Sequence, residues 1–388
     1  MKFTIAIATY NRLAFLKRAI DTALSQTVQC EVVVVDDGSN DGTQEYVEDL
    51  SQTLAASGDG RLIYHRNSHN LGHSGSVNAG VERATGEWVK LLDDDDYLAP
   101  NCLEKMSEAI ALRPQAVLCS CQAVQVDEEE SELTRTRAVG PGRVFYIPQE
   151  DIHYGMLLEQ VPFGTPVQVA FRRDAFLKTG GWDSSLDANF DDIDSWIKIS
   201  RFGDAIFINE YLAYRTVWCG SFNQKFSLEN RLKAHILIKH RIYNLVNSKH
   251  RSEIPNIKQI ESYLKLHWSL VALKKAQVRS TVSLAFPAMF LPGSWNLLFS
   301  LNHRFADKSS SSKTKLGSVS NEKENLKAYL KLKLLEQSLK EKQWGRATKF
   351  LLPIVFSPAA WKLILNLVIL KKRRSNLSPV RKFVLIDS

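Results

Sequence analysis

The sequence predicts an α/β protein whose mainly parallel sheet is covered by helices on both faces, with a helical C-terminal extension. Apolar, β-branched segments alternate with segments of helical spacing up to about Ser221. The apolar segments are continuous rather than alternating, which is typical of parallel strands buried on both faces. Two of them end abruptly in aspartates, and open α/β sheets bind their ligands beyond the carboxyl ends of strands.

The predicted elements follow in order along the chain. Strands are expected at residues 2–10, 31–36, 61–66, 88–92, 116–124, 167–172 and 205–214. Helices are expected at residues 13–26, from Thr43, from the polar loop 69–75 to about 85, at 101–112, at 173–179 and from Asp191. Residues 127–142 have little apolar content and are expected to form a mobile loop.

The C-terminal part differs in composition from the α/β domain. We expect an α/β domain at 1–221, a basic helical region with an apolar segment at 222–303, a linker at 304–324 and a basic amphipathic helical tail at 325–388. A basic helical pattern spans about 226–277, and Pro255 divides it.

Two apolar segments, 280–301 and 350–370, raise the question of a membrane. The second is near bilayer-spanning length, but Pro353, Pro358 and Lys362 argue against a span. We expect these helices either to lie at a membrane interface or to pack on the protein. The basic residues 371–374 that follow suit anionic headgroups.

The net charge of +8 is unevenly distributed, because Lys and Arg dominate after about Arg231. This asymmetry indicates an anionic partner, either lipid or nucleic acid. Lipid is favoured over nucleic acid, since the basic residues adjoin long apolar stretches. The five cysteines follow no zinc spacing and indicate a reducing compartment. With the first strand starting at Lys2, we expect no secretory signal and a cytoplasmic protein, peripheral at the inner face of the membrane.

Four consecutive aspartates, residues 93–96, follow the apolar strand that begins at Trp88. Adjacent carboxylates raise each other's pKa and destabilise a compact state unless a cation offsets their charge. Mg²⁺ and Mn²⁺ are typically held by one or two protein carboxylates together with phosphates and water. The position after a buried strand therefore predicts a Mn²⁺ or Mg²⁺ site that holds a diphosphate.

A second acidic strand end is DDGSNDGT, at residues 36–43. It is either a β-turn whose aspartate caps the next helix or a set of acceptors for a nucleobase or ribose. No GxGxxG follows the first strand, so the dinucleotide fingerprint is absent.

Together these residues resemble glycosyltransferase family 2, the inverting enzymes whose GT-A type, Rossmann-like domain binds a nucleotide sugar. The resemblance covers about residues 2–220, and four motifs carry it in the family's order: ATYNR, VVVDDGSNDGT, LLDDDDYLAP, and FRRDAFLKTGGWDSSL followed by DDIDSW. It implies a nucleotide-sugar donor, most simply a UDP sugar, and a glycan or lipid-linked acceptor.

The resemblance also assigns roles to individual residues. Asp37 is implied to contact the base, Asp93 and Asp95 to hold the metal with Asp95 as the direct ligand, and Asp192 to act as general base beside Asp191. The further donor-side residues implied are Ala8, Thr9, Tyr10, Arg12, Asn78 and Asp94. Gly181 and Trp182 are implied to lie at the acceptor.

The chemistry agrees with these roles but leaves alternatives. A hydroxyl is a poor nucleophile and needs a carboxylate within hydrogen-bond reach to take its proton. Asp191 and Asp192 also suit a helix N-terminus, which favours negative charge, and Asp194 competes for the role of base. Trp182 either stacks on an acceptor sugar or covers the core.

Two departures from the family pattern keep other functions open. Residues 76–78 read Ser-Val-Asn without the arginine that many members carry, and residues 216–219 lack the histidine that some members use. Arg215 could contact phosphate instead. The alternatives are a non-catalytic nucleotide-sugar-binding or membrane scaffold protein and a nucleotidyltransferase, which would need a basic clamp near the first strand where only Arg12 is available.

The histidines His65, His69 and His73 recur every four residues. They would align on a helix, but Asn70, Gly72 and Gly75 predict a loop, so no metal site is expected there. His69 or His73 is still expected near the donor.

Overall fold

The computed structural model describes residues 1–186, 190–218 and 227–274, together with residue 284 and residues 384–385. Within these residues the strands are β1 Phe3–Thr9, β2 Glu31–Asp36, β3 Leu62–Arg66, β4 Trp88–Asp93, β5 Tyr97–Leu98, β6 Ala116–Val126, β7 Glu132–Arg135, β8 Val144–Ile147, β9 Val169–Arg172, β10 Asp204–Thr216 and β11 Val384–Leu385. The helices are α1 Leu13–Leu24, α2 Thr43–Ala56, α3 Gly72–Arg83, α4 Cys102–Leu112, α5 Gln149–Leu157, α6 Arg173–Lys178, α7 Asp191–Ile199, α8 Leu228–Leu245 and α9 Ile257–Lys274.

The strands form one sheet in the order β11-β8-β10-β6-β9-β4-β1-β2-β3, with β5 on β10 and β7 on β6. β1 is parallel to β2 and β4, β2 to β3, and β6 to β10. β9 lies antiparallel between β4 and β6. The predicted α/β fold with a mainly parallel sheet is therefore confirmed.

The central strands are buried on both faces, as their continuous apolar sequences predict. In β2, Val32 and Val34 lie in a cluster with Leu16 and Ile20 of α1. Val33 and Val35 lie in a second cluster with Ala79 of α3. Because successive side chains of a strand point to opposite faces, α1 and α3 cover the two sides of the sheet.

The carboxyl ends of three central strands lie at the same level. Thr9 at the end of β1 pairs with Asp36 at the end of β2, and Ala8 pairs with Asp93 at the end of β4. The two acidic segments that follow β2 and β4 therefore emerge at one edge of the sheet, on either side of β1.

Two predictions about local structure were wrong. α3 begins at Gly72, inside the predicted loop. Gly72 adopts φ +78°, and a Cβ at Gly75 would lie 2.6 Å from the Cβ of Leu71. Glycine at these positions permits the tight helix start instead of preventing it. Residues 127–142 contain β7, which pairs with the end of β6. Because β7 is fully exposed, it lacks the apolar pattern of a strand.

The chain divides into two compact units, residues 1–254 with 379–388 and residues 255–378. The predicted boundary at 221 falls inside the first unit, where α8 packs against α5 and α7. No helix of the described residues is both long and apolar enough to cross a membrane. The apolar segment 280–301 apart from residue 284, the apolar segment 350–370, the linker and nearly all of the tail lie outside the described residues.

Candidate active site

The aspartates after β4 form a tight turn, the acidic turn (residues 93–96), closed by a 3.0 Å hydrogen bond from the Asp96 amide to the Asp93 carbonyl. Thr9 Oγ1 donates to Asp94 Oδ2 at 2.8 Å. Arg12 Nη1 lies 2.9 Å from Asp94 Oδ1 and 3.4 Å from Asp95 Oδ2. The ATYNR motif at the end of β1 therefore supplies the donors that hold the acidic turn, while Tyr10 is exposed.

The acidic turn concentrates negative charge in a partly desolvated place. Burial raises the pKa of Asp94 to about 6 against the opposing charge of Arg12. Burial and the charge of Asp93 raise the pKa of Asp95, and burial with the charges of Asp95 and Asp93 raises that of Asp96 well above its usual value. An additional cation near the acidic turn would relieve this repulsion.

Trp218 follows β10 and contacts the same turn. Its Nε1 donates to Asp95 Oδ2 at 2.9 Å, and the Arg12 guanidinium lies 5.3 Å from the centroid of its ring. The segment 216–219, whose sequence contains no histidine, therefore places the indole N–H of Trp218 on Asp95. Only the position of Trp218 near the end of a strand could have indicated this contact.

His73, in the first turn of α3, connects the acidic turn to α7. Its Nε2 lies 3.3 Å from Asp93 Oδ1 and its Nδ1 lies 3.3 Å from Asp191 Oδ2. Burial opposes the protonated imidazole, but these two carboxylates outweigh burial and raise the pKa of His73 well above its usual value. A helix start at Gly72 would have placed His73 beside the site. The sequence did not reveal that start, because Gly72 and Gly75 indicated a loop.

Asp191 and Asp192 begin α7. The Asp192 amide donates to Asp191 Oδ1 at 2.9 Å, and the Ile193 amide donates to Asp192 Oδ1 at 2.7 Å. Burial, followed by the neighbouring charge of Asp191, raises the pKa of Asp192 to about 7. A carboxylate with such a pKa is a competent proton acceptor near neutral pH.

Asp194 is in the same helical turn but in a different environment. It is only 1% exposed. Lys198 Nζ lies 3.0 Å from its Oδ2, and Arg241 of α8 forms a short ion pair with its Oδ1. These contacts give Asp194 a structural position and distinguish it from Asp191 and Asp192, which are both partly exposed.

Asp37 is 3% exposed and holds the loop that leads into α3. Its Oδ1 accepts hydrogen bonds from Asn67 Nδ2 at 2.7 Å and the Leu71 amide at 2.8 Å. Its Oδ2 accepts from the Gly72 amide at 2.9 Å. Its contact with a nucleobase stays a prediction.

Asn78 of α3 holds the glycine turn (residues 180–183). It exchanges two hydrogen bonds with the backbone of Trp182, at 2.8 Å to its amide and 3.1 Å to its carbonyl. Gly181 has φ +81°, and a Cβ there would lie 2.5 Å from Asn78 Oδ1. Asn78 thus lies beside the glycine turn, and its contact with a donor stays a prediction.

Trp182 is 4% exposed. Its ring lies edge-on to His73 at 5.3 Å and to Trp196 at 6.3 Å. This is the arrangement of a core side chain, and stacking on an acceptor sugar stays a prediction. Because Trp182 contacts His73, the glycine turn is nevertheless next to the carboxylates described above.

Comparisons with known proteins agree with this geometry. Residues 4–180 match the model of glycosyl transferase family 2. The chain is 37% identical over 140 residues to the succinoglycan biosynthesis protein ExoO of Rhizobium meliloti, covering 34% of this chain and 38% of ExoO. It is 33% identical over 109 residues to the GalNAc(5)-diNAcBac-PP-undecaprenol beta-1,3-glucosyltransferase of Campylobacter jejuni, covering 28% of this chain and 34% of that enzyme. The matched segments span little more than a third of each relative.

Among solved structures, S. aureus TarS 1-349 in complex with UDP-GlcNAc is similar, with a TM-score of 0.51, 17% sequence identity and 90% coverage of both chains. At this identity the likeness concerns the fold, which is of the GT-A type. The family match, the motifs at the strand ends and the fold lead to one assignment: residues 4–180, a little under half of the chain, form a domain of glycosyltransferase family 2.

Proposed function

We propose that the chain transfers a sugar from a nucleotide-diphosphate donor, most simply a UDP sugar, to a hydroxyl of a glycan or lipid-linked acceptor, with inversion at the anomeric carbon. One observation carries the proposal. The acidic turn and the Asp191–Asp192 pair meet across His73 at the carboxyl ends of the strands, with 3.3 Å on either side of the imidazole. The proposed diphosphate site and the proposed base would thus lie side by side.

The donor side fits a divalent cation. The acidic turn carries more carboxylates than its neighbouring arginine compensates, and Asp95 and Asp93 would hold Mn²⁺ or Mg²⁺. No set of three His, Cys, Asp or Glu side chains in the described part of the chain is arranged as a complete metal site. Diphosphate oxygens and water would therefore complete the coordination, as is usual for these ions. The bound metal would supply charge stabilisation to the leaving diphosphate.

The protein's own residues would position the reactants and move the proton. Thr9 and Arg12 fix the acidic turn through Asp94. Asp192 would accept the proton of the acceptor hydroxyl as the hydroxyl oxygen attacks the anomeric carbon opposite the departing nucleotide. The start of a helix holds that carboxylate rigidly, and its pKa of about 7 lies near the pH at which a general base is most effective.

The relatives support the substrate classes. TarS was solved with UDP-GlcNAc, ExoO is named for succinoglycan biosynthesis, and the Campylobacter relative is named for an undecaprenol-linked substrate. We extend these classes to this chain as a uridine donor and a growing glycan, free or lipid-linked. A lipid-linked acceptor would place the protein at the cytoplasmic face of the membrane, through the basic C-terminal part.

The test is release of nucleoside diphosphate by the purified full-length chain, with Mn²⁺, a panel of UDP sugars and glycan or lipid-linked acceptors. Wild type should release UDP in the presence of acceptor, and the product's anomeric configuration, read by NMR, should be inverted. Asp192→Asn should lower kcat by about 10² to 10⁴, the usual contribution of a general base.

The matched control is Asp49→Asn, which removes an exposed carboxylate from α2 and should leave kcat unchanged. Equal activity of Asp192→Asn and wild type would contradict the assignment of the base. No turnover by wild type with UDP, GDP or dTDP sugars would favour the non-catalytic scaffold.

A further inference from the structure

The start of α7 is held by a helix outside the family match. α8 lies beyond residues 4–180 and beyond the boundary predicted at 221. Its Arg241 pairs through Nη1 with the buried Asp194 in the first turn of α7, and through Nη2, at 3.3 Å, with Asp183 of the glycine turn. A single guanidinium thus joins the helix that carries Asp192 to the turn that adjoins it.

Lys198 makes a parallel connection. Its Nζ lies 3.0 Å from Asp194 Oδ2 and donates to the Gly181 carbonyl at 2.6 Å. Asp194 therefore receives one cation on each oxygen, and each cation also contacts the glycine turn. With two cations shared in this way, a displacement of α7 relative to the glycine turn would break several charge-assisted contacts together.

A second side chain of α8 reaches the residue that precedes the candidate base. The ring of His235 lies 5.3 Å from the ring of Phe190. Phe190 has φ +73°, a left-handed conformation that is unfavourable for a residue with a Cβ and persists where surrounding contacts impose it. Asp191 and Asp192 follow directly, so contacts from α8 lie on both sides of them in the sequence.

Charge makes this support necessary. Asp191, Asp192 and Asp194 all occupy the first turn of α7, and Asp93 lies across His73. A helix N-terminus favours negative charge, but three carboxylates within four residues also repel one another. Without Arg241, the buried Asp194 would keep Lys198 alone, and the glycine turn would lose its contact through Asp183.

We infer that Arg241 of α8 is a positioning residue for the proposed transfer, fixing Asp192 relative to the glycine turn through Asp194 and Asp183. This inference rests on the proposed function. It extends the catalytic machinery from α7 to α8, two helices that both lie beyond the residues of the family match.

The experiment compares full-length wild type, Arg241→Gln and Arg241→Lys in kcat, in the KM of the donor and in the Kd of UDP with Mn²⁺. Arg241→Gln should lower kcat about 100-fold, the effect of displacing a reactive group by about 1 Å, and leave the Kd of UDP within about twofold of wild type. Arg241→Lys keeps the positive charge but loses the forked guanidinium that bridges Asp194 and Asp183. Its kcat should therefore lie between those of wild type and Arg241→Gln.

Arg251→Gln is the matched control, because Arg251 follows α8, is exposed and donates to the carbonyl of Asn244 in α8. It should keep the kcat of wild type. If Arg241→Gln does not fold, Arg241→Lys decides alone: reduced kcat with unchanged UDP affinity supports the inference.

Three results would overturn the inference. If wild type is active and the Arg241 variants are equally active, the positioning role of Arg241 is contradicted and the proposed function stands. A proportional loss of kcat and UDP affinity would show a general structural role. An inactive wild type would overturn the proposed function and the inference together.

Discussion

His73 is the side chain through which the two carboxylate groups of the site influence each other. Its charge helps to lower the pKa of Asp93, and it partly offsets the rise in the pKa of Asp192 that burial and Asp191 cause. If Asp192 is the base, it must be ionised to accept a proton. Its raised pKa therefore lowers activity at pH values below about 7. Protonation of Asp192 should therefore produce an acidic limb in kcat/KM, with activity falling about tenfold per pH unit below its pKa.

This gives a prediction for His73→Gln. The pKa of Asp192 is about 7 with the imidazolium present, and removing that positive charge should raise it further. The acidic limb of the kcat/KM profile should then move to higher pH, relative to wild type measured in the same buffers. A limb that stays in place or moves to lower pH would contradict the electrostatic coupling.

The sequence indicated some residues of the site and not others. Asp93, Asp95 and Asp192 were predicted from motifs, and the structure brings their segments to one edge of the sheet. His73 and Trp218 were not assigned these contacts, because each depends on elements distant in sequence. Nor does the sequence reveal that Asp194 is buried between two cations while its neighbours are partly exposed.

At the scale of elements, the glycine turn is the most specific structural requirement beside the site. Gly180 and Gly181 have almost the same left-handed φ, +80° and +81°. A Cβ at Gly180 would meet nothing within 4 Å, whereas one at Gly181 would lie 2.5 Å from Asn78 Oδ1. Alanine at residue 180 would therefore introduce backbone strain alone, whereas alanine at residue 181 would add a steric contact with Asn78.

Gly180→Ala should lower the free energy of unfolding by about 1–2 kcal/mol, the cost of a left-handed residue with a Cβ. Gly181→Ala should cost more, because Asn78 must also move and its hydrogen bonds to Trp182 weaken. Chemical denaturation of the two variants measures the difference. Equal losses would show that the contact between Asn78 and the glycine turn is not required for stability.

The strands and most helices were predictable because burial dictates them. Four of the six residues of β2 are valine, and all four are buried. α1 repeats its apolar residues at helical spacing. The start of α3 was not predictable, since glycine is unfavourable in helices. The helix needs Gly72 and Gly75 because of the local backbone conformation and the close approach of Leu71, which the sequence does not show. β7 was missed for a related cause, because a fully exposed strand has no hydrophobic pattern.

In the molecule as a whole, the first compact unit comprises residues 1–254 with 379–388, so it continues past Ser221 to Ile254. α8 belongs to this unit, and its Leu232, Ile238 and Ile242 are buried. A composition shift toward basic residues suggested a boundary before α8. Composition did not reveal that α8 packs against α5 and α7.

Truncation tests this boundary. A chain ending at residue 254 loses residues 379–388 from this unit, of which the described part is only the two-residue edge strand β11. It should therefore unfold cooperatively with a melting temperature close to that of the full-length protein. A chain ending at residue 221 should melt lower or aggregate, because it exposes the surfaces of α5 and α7 that α8 covers and leaves Asp194 with Lys198 alone. Differential scanning calorimetry compares the two, and equal melting temperatures would contradict the assignment of α8 to this unit.

The central claim is that the acidic turn binds a nucleotide diphosphate through a divalent cation. Its most direct test is calorimetric titration of UDP into wild type, Asp95→Asn and the control Asp49→Asn, with and without Mn²⁺. We expect Mn²⁺-dependent binding of UDP to wild type and to Asp49→Asn, and loss of that binding in Asp95→Asn. Binding of UDP that is independent of Mn²⁺ and unaffected by Asp95→Asn would contradict it.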